Sequence, residues 1–231
     1  AEEMSKRLKQ SVVVENLGGA SGAIGAQKVL RAPADGYTLI FGNTSDMVVT
    51  PIANPSAGYA TRDFTPIALV GLTPMALVAR PGLSINGIDQ LVAQAKARPN
   101  GLTIGTTGSS SFQAFSTVAL QKAAGIDLLA VPYKGGASLT TDLLGGQIDS
   151  VFDPVTTNVN QLKAGSLRAL AVSTPTRMAA FPNIPTFAEL GFNSLTGSQW
   201  LGLSAPKNLP APIAQRLTAL IPEILAKPDV M

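Results

Sequence analysis

From Leu102 to Ser173, short apolar runs alternate with stretches of helical period, and this alternation constrains the chain more than any other feature. Leu102–Gly105, Leu128–Val131, Ser150–Phe152 and Leu167–Ser173 read as strands. Between them Ser110–Ala124, Ser138–Leu144 and Val155–Lys163 read as helices. Strands separated by single helices are too far apart in sequence for tight hairpins, so the pattern predicts an α/β fold with largely parallel sheets. A further helix precedes the series in "INGIDQLVAQAKARPNG", with Ile88, Leu91, Val92 and Ala95 on one face.

The flanks fit the same class. Met4 and Leu8, four residues apart, mark an amphipathic first helix, and Val12–Glu15 reads as a buried strand. Ala23–Arg31 reads as a helix stopped by Pro33, followed by an Asp35-Gly36 turn and a strand over Tyr37–Phe41. A short helix is expected to open at one of Thr44, Ser45 or Asp46. Pro66–Val70 and Met75–Ala79 read as two β-rich runs split by Thr73-Pro74. Near the end, "IPTFAELG" reads as a short helix stopped by Gly191, "QWLGLSAP" as a strand, and "APIAQRLTALIPEILAK" as a helix bent at Pro222. Pro99 and Gly101 suit a crossing between two lobes, with a return just before "QWLGLSAP". The expected lobes are therefore 1–100 with 198–231, and 101–197.

Composition removes several function classes. The 231 residues are 45% hydrophobic and 13% charged, which is globular. A net charge of +3, scattered along the chain, is no nucleic-acid footprint. No apolar run approaches the ~20 residues needed to span a bilayer. Cysteine and histidine are both absent, so thiolate chemistry, Cys-ligated zinc and the commonest general base are excluded. The lysines lack S-x-x-K spacing and no G-x-S-x-G elbow occurs, so no catalytic set, metal site or cofactor is expected.

Four stretches could hold a ligand. "ENLGGASGAIGAQKVL" carries Gly18, Gly19, Gly22 and Gly25, whose spacing lacks the initial G-x-G of a dinucleotide turn. It reads as glycines that let a helix lie close on its strand. In "TIGTTGSSSFQAF" a strand ends at Gly105, and Gly108, Ser109, Ser110 and Ser111 lead into a helix. Helix N-terminal amides and hydroxyls suit a small anion, and three adjacent hydroxyls exceed what one cap needs. In "VPYKGGASLTTDLLGG", Tyr133, Gly135 and Gly136 follow a strand and open the next helix, which fits a ligand crevice or a plain turn. Asp153 ends the strand in "DSVFDPV", where it can accept from a ligand hydroxyl or amine, or cap the helix that follows, the commoner fate.

The stretch "VVVENLGGASGAIGAQKVLRAPADGYTLIFGN" resembles the Bug/TctC family, solute-binding proteins of tripartite tricarboxylate transporters. "VPYKGGASLTTDLLGGQIDSVFDPV" and "LKAGSLRALAVSTPTRMAAFPNIPTFAELGF" match two further family stretches in the right order, and the resemblance covers essentially the whole chain. It implies a two-lobed type II periplasmic-binding-protein (Venus-flytrap) architecture, a periplasmic location and no enzymatic activity. A small carboxylate (a di- or tricarboxylate, an acidic amino acid or a related acid) would be held between the lobes and handed to the transporter's membrane components. Carried over by position, Thr44, Ser45, Gly108, Ser109, Ser110, Ser111, Tyr133, Gly135, Gly136, Ala137 and Asp153 would line that site. Ala114 stands where many members carry a histidine. Measured against the family pattern, the chain is expected to lack the first strand with its "PFPAGG"-like loop, and the C-terminal segment. Few aromatic residues favour an aliphatic acid, although Tyr133, Phe112 and Trp200 could line a ring. The alternatives are a nucleotide-dependent oxidoreductase and a ligand sensor for a signalling receptor.

Overall fold

A computed structural model of the chain describes residues 1–227. In chain order its elements are α1 (Glu2–Leu8), α2 (Ala23–Leu30), β1 (Ile40–Asn43), α3 (Thr50–Ala53), β2 (Phe64–Ala79) and α4 (Ile88–Ala97). There follow β3 (Thr103–Thr106), α5 (Phe112–Ala124), β4 (Leu129–Pro132), α6 (Gly136–Leu144) and β5 (Ser150–Pro154). The last are α7 (Val159–Lys163), β6 (Arg168–Val172), β7 (Ser198–Pro206) and α8 (Ala211–Leu225). The chain divides into two compact units. Unit 1 holds Ala1–Gly71 and the segment from Trp200, and unit 2 holds Leu72–Gln199. The sequence reading drew these divisions near residues 100 and 198. The first falls earlier in the structure because Thr73-Pro74 interrupts nothing: β2 is one sixteen-residue strand, and α4 packs into the core of unit 2.

In unit 2 the strand order is β4-β3-β5-β2-β6. The expectation of largely parallel pairing is corrected. β3 pairs parallel with β4 and β5, whereas β2 runs antiparallel to both β5 and β6. The alternating pattern fixes direction only for strands joined by a crossover helix, as α5 joins β3 to β4 and α6 joins β4 to β5. Strand β2 is covered on both faces, so Met75 through Ala79 are all buried. Met75, Leu77 and Ala79 face Ile88, Leu91 and Leu120 of α4 and α5. Ala76 and Val78 face Leu139 and Leu143 of α6. The same period of two puts Phe152 of β5 on the α5 face and Val151 on the α6 face. Each fully buried Leu, Ile or Phe contributes roughly 1.5–3 kcal/mol.

In unit 1, β1 lies antiparallel to β7, from Ile40 opposite Ser204 to Asn43 opposite Leu201. One cluster joins Ala23 and Ala26 of α2 to Ile40, Met47, Tyr59 and Phe64. A second joins Ile67, Leu203 and Ala205 to Leu217 and Ile221 of α8, and Met4 and Leu8 of α1 pack on it as their spacing predicts. Helix α8 continues through Pro222.

Two predicted elements are absent. Val12–Glu15 has strand-forming side chains but no ladder partner among the described residues, and Val13 and Val14 stand exposed. Strand propensity becomes a strand only beside another strand. Residues 184–191 form turns instead of a helix. The Thr186 N–H donates to Glu189, the Glu189 N–H donates back to Thr186 Oγ1, and Thr186 bridges to Val172 beside β6.

Candidate functional site

Unit 2 contains a topological switch point. The chain leaves β3 through α5 toward β4 on one side, and leaves β5 through α7 toward β6 on the other. Adjacent strands whose connections depart in opposite directions leave a crevice at their carboxyl ends, where open α/β sheets bind ligands. The register pairs Ile104 with Ser150 and Gly105 with Val151. Continued past the end of β3, it brings Thr107 level with Asp153. The serine turn and Asp153, two of the sequence-predicted stretches, thus lie at the carboxyl ends of adjacent strands.

The turn after β3 opens with Gly108, whose φ of 112° is a conformation that favours glycine. Ser111 is fully buried and caps α5. Its Oγ donates to the Gly108 carbonyl at 2.8 Å and accepts from the Ala114 N–H at 3.2 Å. That hydroxyl is therefore committed to the cap. Ser110 is buried and Ser109 exposed, so the three serines occupy three different environments. Thr107 Oγ1 donates to Gln113 Oε1 at 2.5 Å and ties the turn to the first turn of α5.

Asp153 is 5% exposed. Its carboxylate accepts from the Asn158 side-chain amide at 2.6 Å, and no ion pair includes it among the described residues. It does not cap the turn that follows, which starts at Pro154 without a side-chain cap. Burial pushes its pKa up to about 6, only partly opposed by the Asn158 bond. Asn158 is wholly buried, and its Oδ1 has no hydrogen-bond partner among the described residues. Sequence reasoning named Asp153 and missed Asn158, whose signal was an amide five residues on, across a Pro-started turn.

The third stretch lies one strand further out. Tyr133 is half-buried, and its hydroxyl donates to Asp142 Oδ2 at 2.8 Å; burial and the nearby carboxylate raise its pKa. Gly135 precedes α6 without a side-chain cap, and Gly136 and Ala137 are exposed. In unit 1, Thr44 Oγ1 accepts from the Trp200 N–H at 2.9 Å, and the Ser45 N–H donates to Asn43 Oδ1 at 2.7 Å. The next residue, Asp46, is buried and accepts from the Asn43 N–H at 2.6 Å. Burial raises its pKa to about 6 against the backbone N–H groups that lower it.

The glycines of "GGASGAIG" serve this neighbourhood in unit 1. A Cβ on Gly22, at φ 90°, would stand 2.4 Å from the Asp46 Cβ. The close approach is to the helical turn Ser45–Val49, not to a strand as the sequence suggested.

Two cavities of unit 2 differ in size and place. One of about 190 Å³ lies between Met75, Phe112, Phe115, Phe152, Ser173 and Thr196, on the α5 face. Three phenylalanines therefore share one small cavity, more aromatic lining than composition suggested. The larger, about 490 Å³, lies by Arg168 and Phe181 at the opposite, starting end of β6, away from the switch point.

A strand–helix sheet with a switch-point crevice is the design of a periplasmic solute-binding protein, and solved structures agree. Periplasmic binding protein BugD is 34% identical with a TM-score of 0.93, over 100% of this chain and 77% of its own. MatC from Rhodopseudomonas palustris with bound malate is 30% identical with a TM-score of 0.94, over 99% of this chain and 78% of its own. An R. palustris protein with adipate is 31% identical with a TM-score of 0.92, over 100% of this chain and 77% of its own. In sequence, the UPF0065 protein of the TAR-I ttuE-ttuC' intergenic region of Agrobacterium vitis is 36% identical over 100% of this chain and 67% of its own length. The family pattern of the tripartite tricarboxylate transporter family receptor, TctC, matches residues 1–231. The chain belongs to that family of periplasmic, non-enzymatic receptors.

Proposed function

We propose that this receptor captures a small aliphatic carboxylate and presents it to the membrane components of a tripartite tricarboxylate transporter. The supporting observation is the switch point of unit 2, where the N-terminal end of α5 and the Gly108–Ser111 turn stand beside the end of β5. A thirteen-residue helix turns its positive dipole end toward an anion placed at its start. The backbone amides of the Gly108–Ser111 turn are assigned to the carboxylate, with the Ser109 and Ser110 hydroxyls beside them. Tyr133, Gly135, Gly136 and Ala137 in unit 2, and Thr44 and Ser45 in unit 1, are assigned secondary contacts. The malate and adipate found with relatives support a dicarboxylate of four to six carbons.

Thermal-shift and calorimetric titration with succinate, malate, aspartate, adipate and citrate tests this reading. At least one of these acids is expected to raise the melting temperature and give a saturable heat. NADH fluorescence is expected to stay unchanged on adding the protein. No response to any carboxylate, with a response to the nucleotide, overturns the proposal in favour of the oxidoreductase alternative.

A further inference from the structure

The end of β5 holds two acceptors and too few donors. Asp153 and Asn158 are both more than nine-tenths buried. Among the described residues the one hydrogen bond of the Asp153 carboxylate is from the Asn158 amide, and the Asn158 carbonyl oxygen has none. Flipping the Asn158 amide would exchange one unmet acceptor for a clash between oxygens, so the shortage lies in the composition of the pair. Asp153 lies on the α6 face with Val151, and the elements packed there contribute Ala76, Val78, Leu139 and Val155. None of these can donate from its side chain, and Tyr133, which packs on the same cluster, gives its hydroxyl to Asp142. A buried carboxylate with a single neutral donor carries a desolvation penalty that a donor would relieve. Asp153 ends the strand adjacent to β3, whose following turn is assigned to the ligand carboxylate.

We propose that Asp153 and Asn158 form a subsite for a hydrogen-bond donor on the ligand, so that the receptor selects a 2-hydroxy or 2-amino acid over the plain diacid of equal length. This rests on the carboxylate-receptor reading above. The ligand's carboxylate faces the α5 terminus, and its hydroxyl or ammonium donates to the Asp153 carboxylate and the Asn158 carbonyl oxygen. Hydroxyl and ammonium meet the same acceptors, and the ligands of the test separate them.

The test is calorimetric titration of the chain with L-malate, L-aspartate and succinate, which share four carbons and two carboxylates. Malate or aspartate is expected to bind at least tenfold more tightly than succinate. Malate above aspartate assigns a hydroxyl, and the reverse order an ammonium. In Asp153→Asn the preference is expected to fall to about twofold or less, with succinate affinity unchanged or improved because a buried negative charge is gone. Equal binding of all three acids by the unaltered chain overturns the subsite while leaving the receptor reading intact; solvent alone would then fill the pair's needs. A preference that persists in Asp153→Asn also overturns it. Binding of none of the acids counts against both readings. The unaltered chain supplies the first comparison, so the inference is exposed even if the variant misfolds.

Discussion

Asp149 and Asp153 stand at the two ends of one short strand, and their surroundings are opposite. Asp149, just ahead of β5, accepts from the Arg80 guanidinium at 2.9 Å, the Thr103 N–H at 2.9 Å and the Thr103 hydroxyl at 3.0 Å. Burial alone would raise its pKa, but these three donors outweigh burial and hold it below the ordinary carboxylate value. Asp153 is more deeply buried and has one neutral donor, and burial prevails. The first carboxylate locks β3, β5 and the end of β2 together. The second is held charged at a cost, at the end of the strand where ligands approach. A folded chain has no structural use for such a group, and that contrast points to function more directly than any motif.

Removing the satisfied carboxylate should have the largest effect. Asp149→Ala leaves Arg80 unpaired and a half-buried Thr103 N–H without its acceptor, and is expected to cost about 3 kcal/mol. The midpoint of urea unfolding measures it; a loss under about 1 kcal/mol would erase the contrast. Asp153→Asn should act in the opposite direction, stabilising the chain by about 2 kcal/mol at pH 7.5, since a carboxylate raised from 3.8 to about 6 in the folded state is penalised when ionised.

The sign of the pH dependence follows. Between about pH 4 and 6 the folded chain holds protons on Asp153 and Asp46 that the unfolded chain has already released. Stability therefore falls as pH rises through this window and levels off above it. Asp149 works in the other direction, its contribution being lost only as pH drops below the ordinary carboxylate range. Melting temperatures from pH 4 to 8 should show the decline, and Asp153→Asn should flatten part of it. A variant equally stabilising at pH 4 and pH 7.5 would mean that ionisation is not the cause.

The smallest effects lie on the neighbouring strand end. Ser111→Ala should cost about 1 kcal/mol through the lost cap. Ser109→Ala should stay within about 0.5 kcal/mol, as exposed substitutions do, while weakening carboxylate binding. Equal stability losses for the two would show that the three serines share one structural task.

The α/β class, most helices and the positions of the turns that follow the strands were legible in the sequence, because periodicity and breakers report local structure directly. The antiparallel placement of β2 was not, since pairing direction depends on partners far away in sequence. Thr73-Pro74 misled because proline can be accommodated in a strand where its missing N–H is not needed. Val12–Val14 misled because a β-branched run states a propensity and not a partner. Ser111 was recognised as a site residue but not as the serine that caps α5. Asn158 stayed hidden because a single amide has no pattern; only its burial beside Asp153 gives it meaning.

Unit 1 is assembled from two stretches of chain, and this shapes how it must fold. Thr218 of α8 donates to the Ile67 carbonyl, and Lys227 pairs with Glu3 across 224 positions of sequence. Unit 2, by contrast, is one uninterrupted stretch. During synthesis unit 2 can close on itself while unit 1 still lacks β7 and α8, and its long-range contacts are the slow ones to form. The sole tryptophan, Trp200, packs on the core of unit 1. Its fluorescence during refolding should therefore time the last event, lagging the recovery of helix and sheet signal that unit 2 dominates.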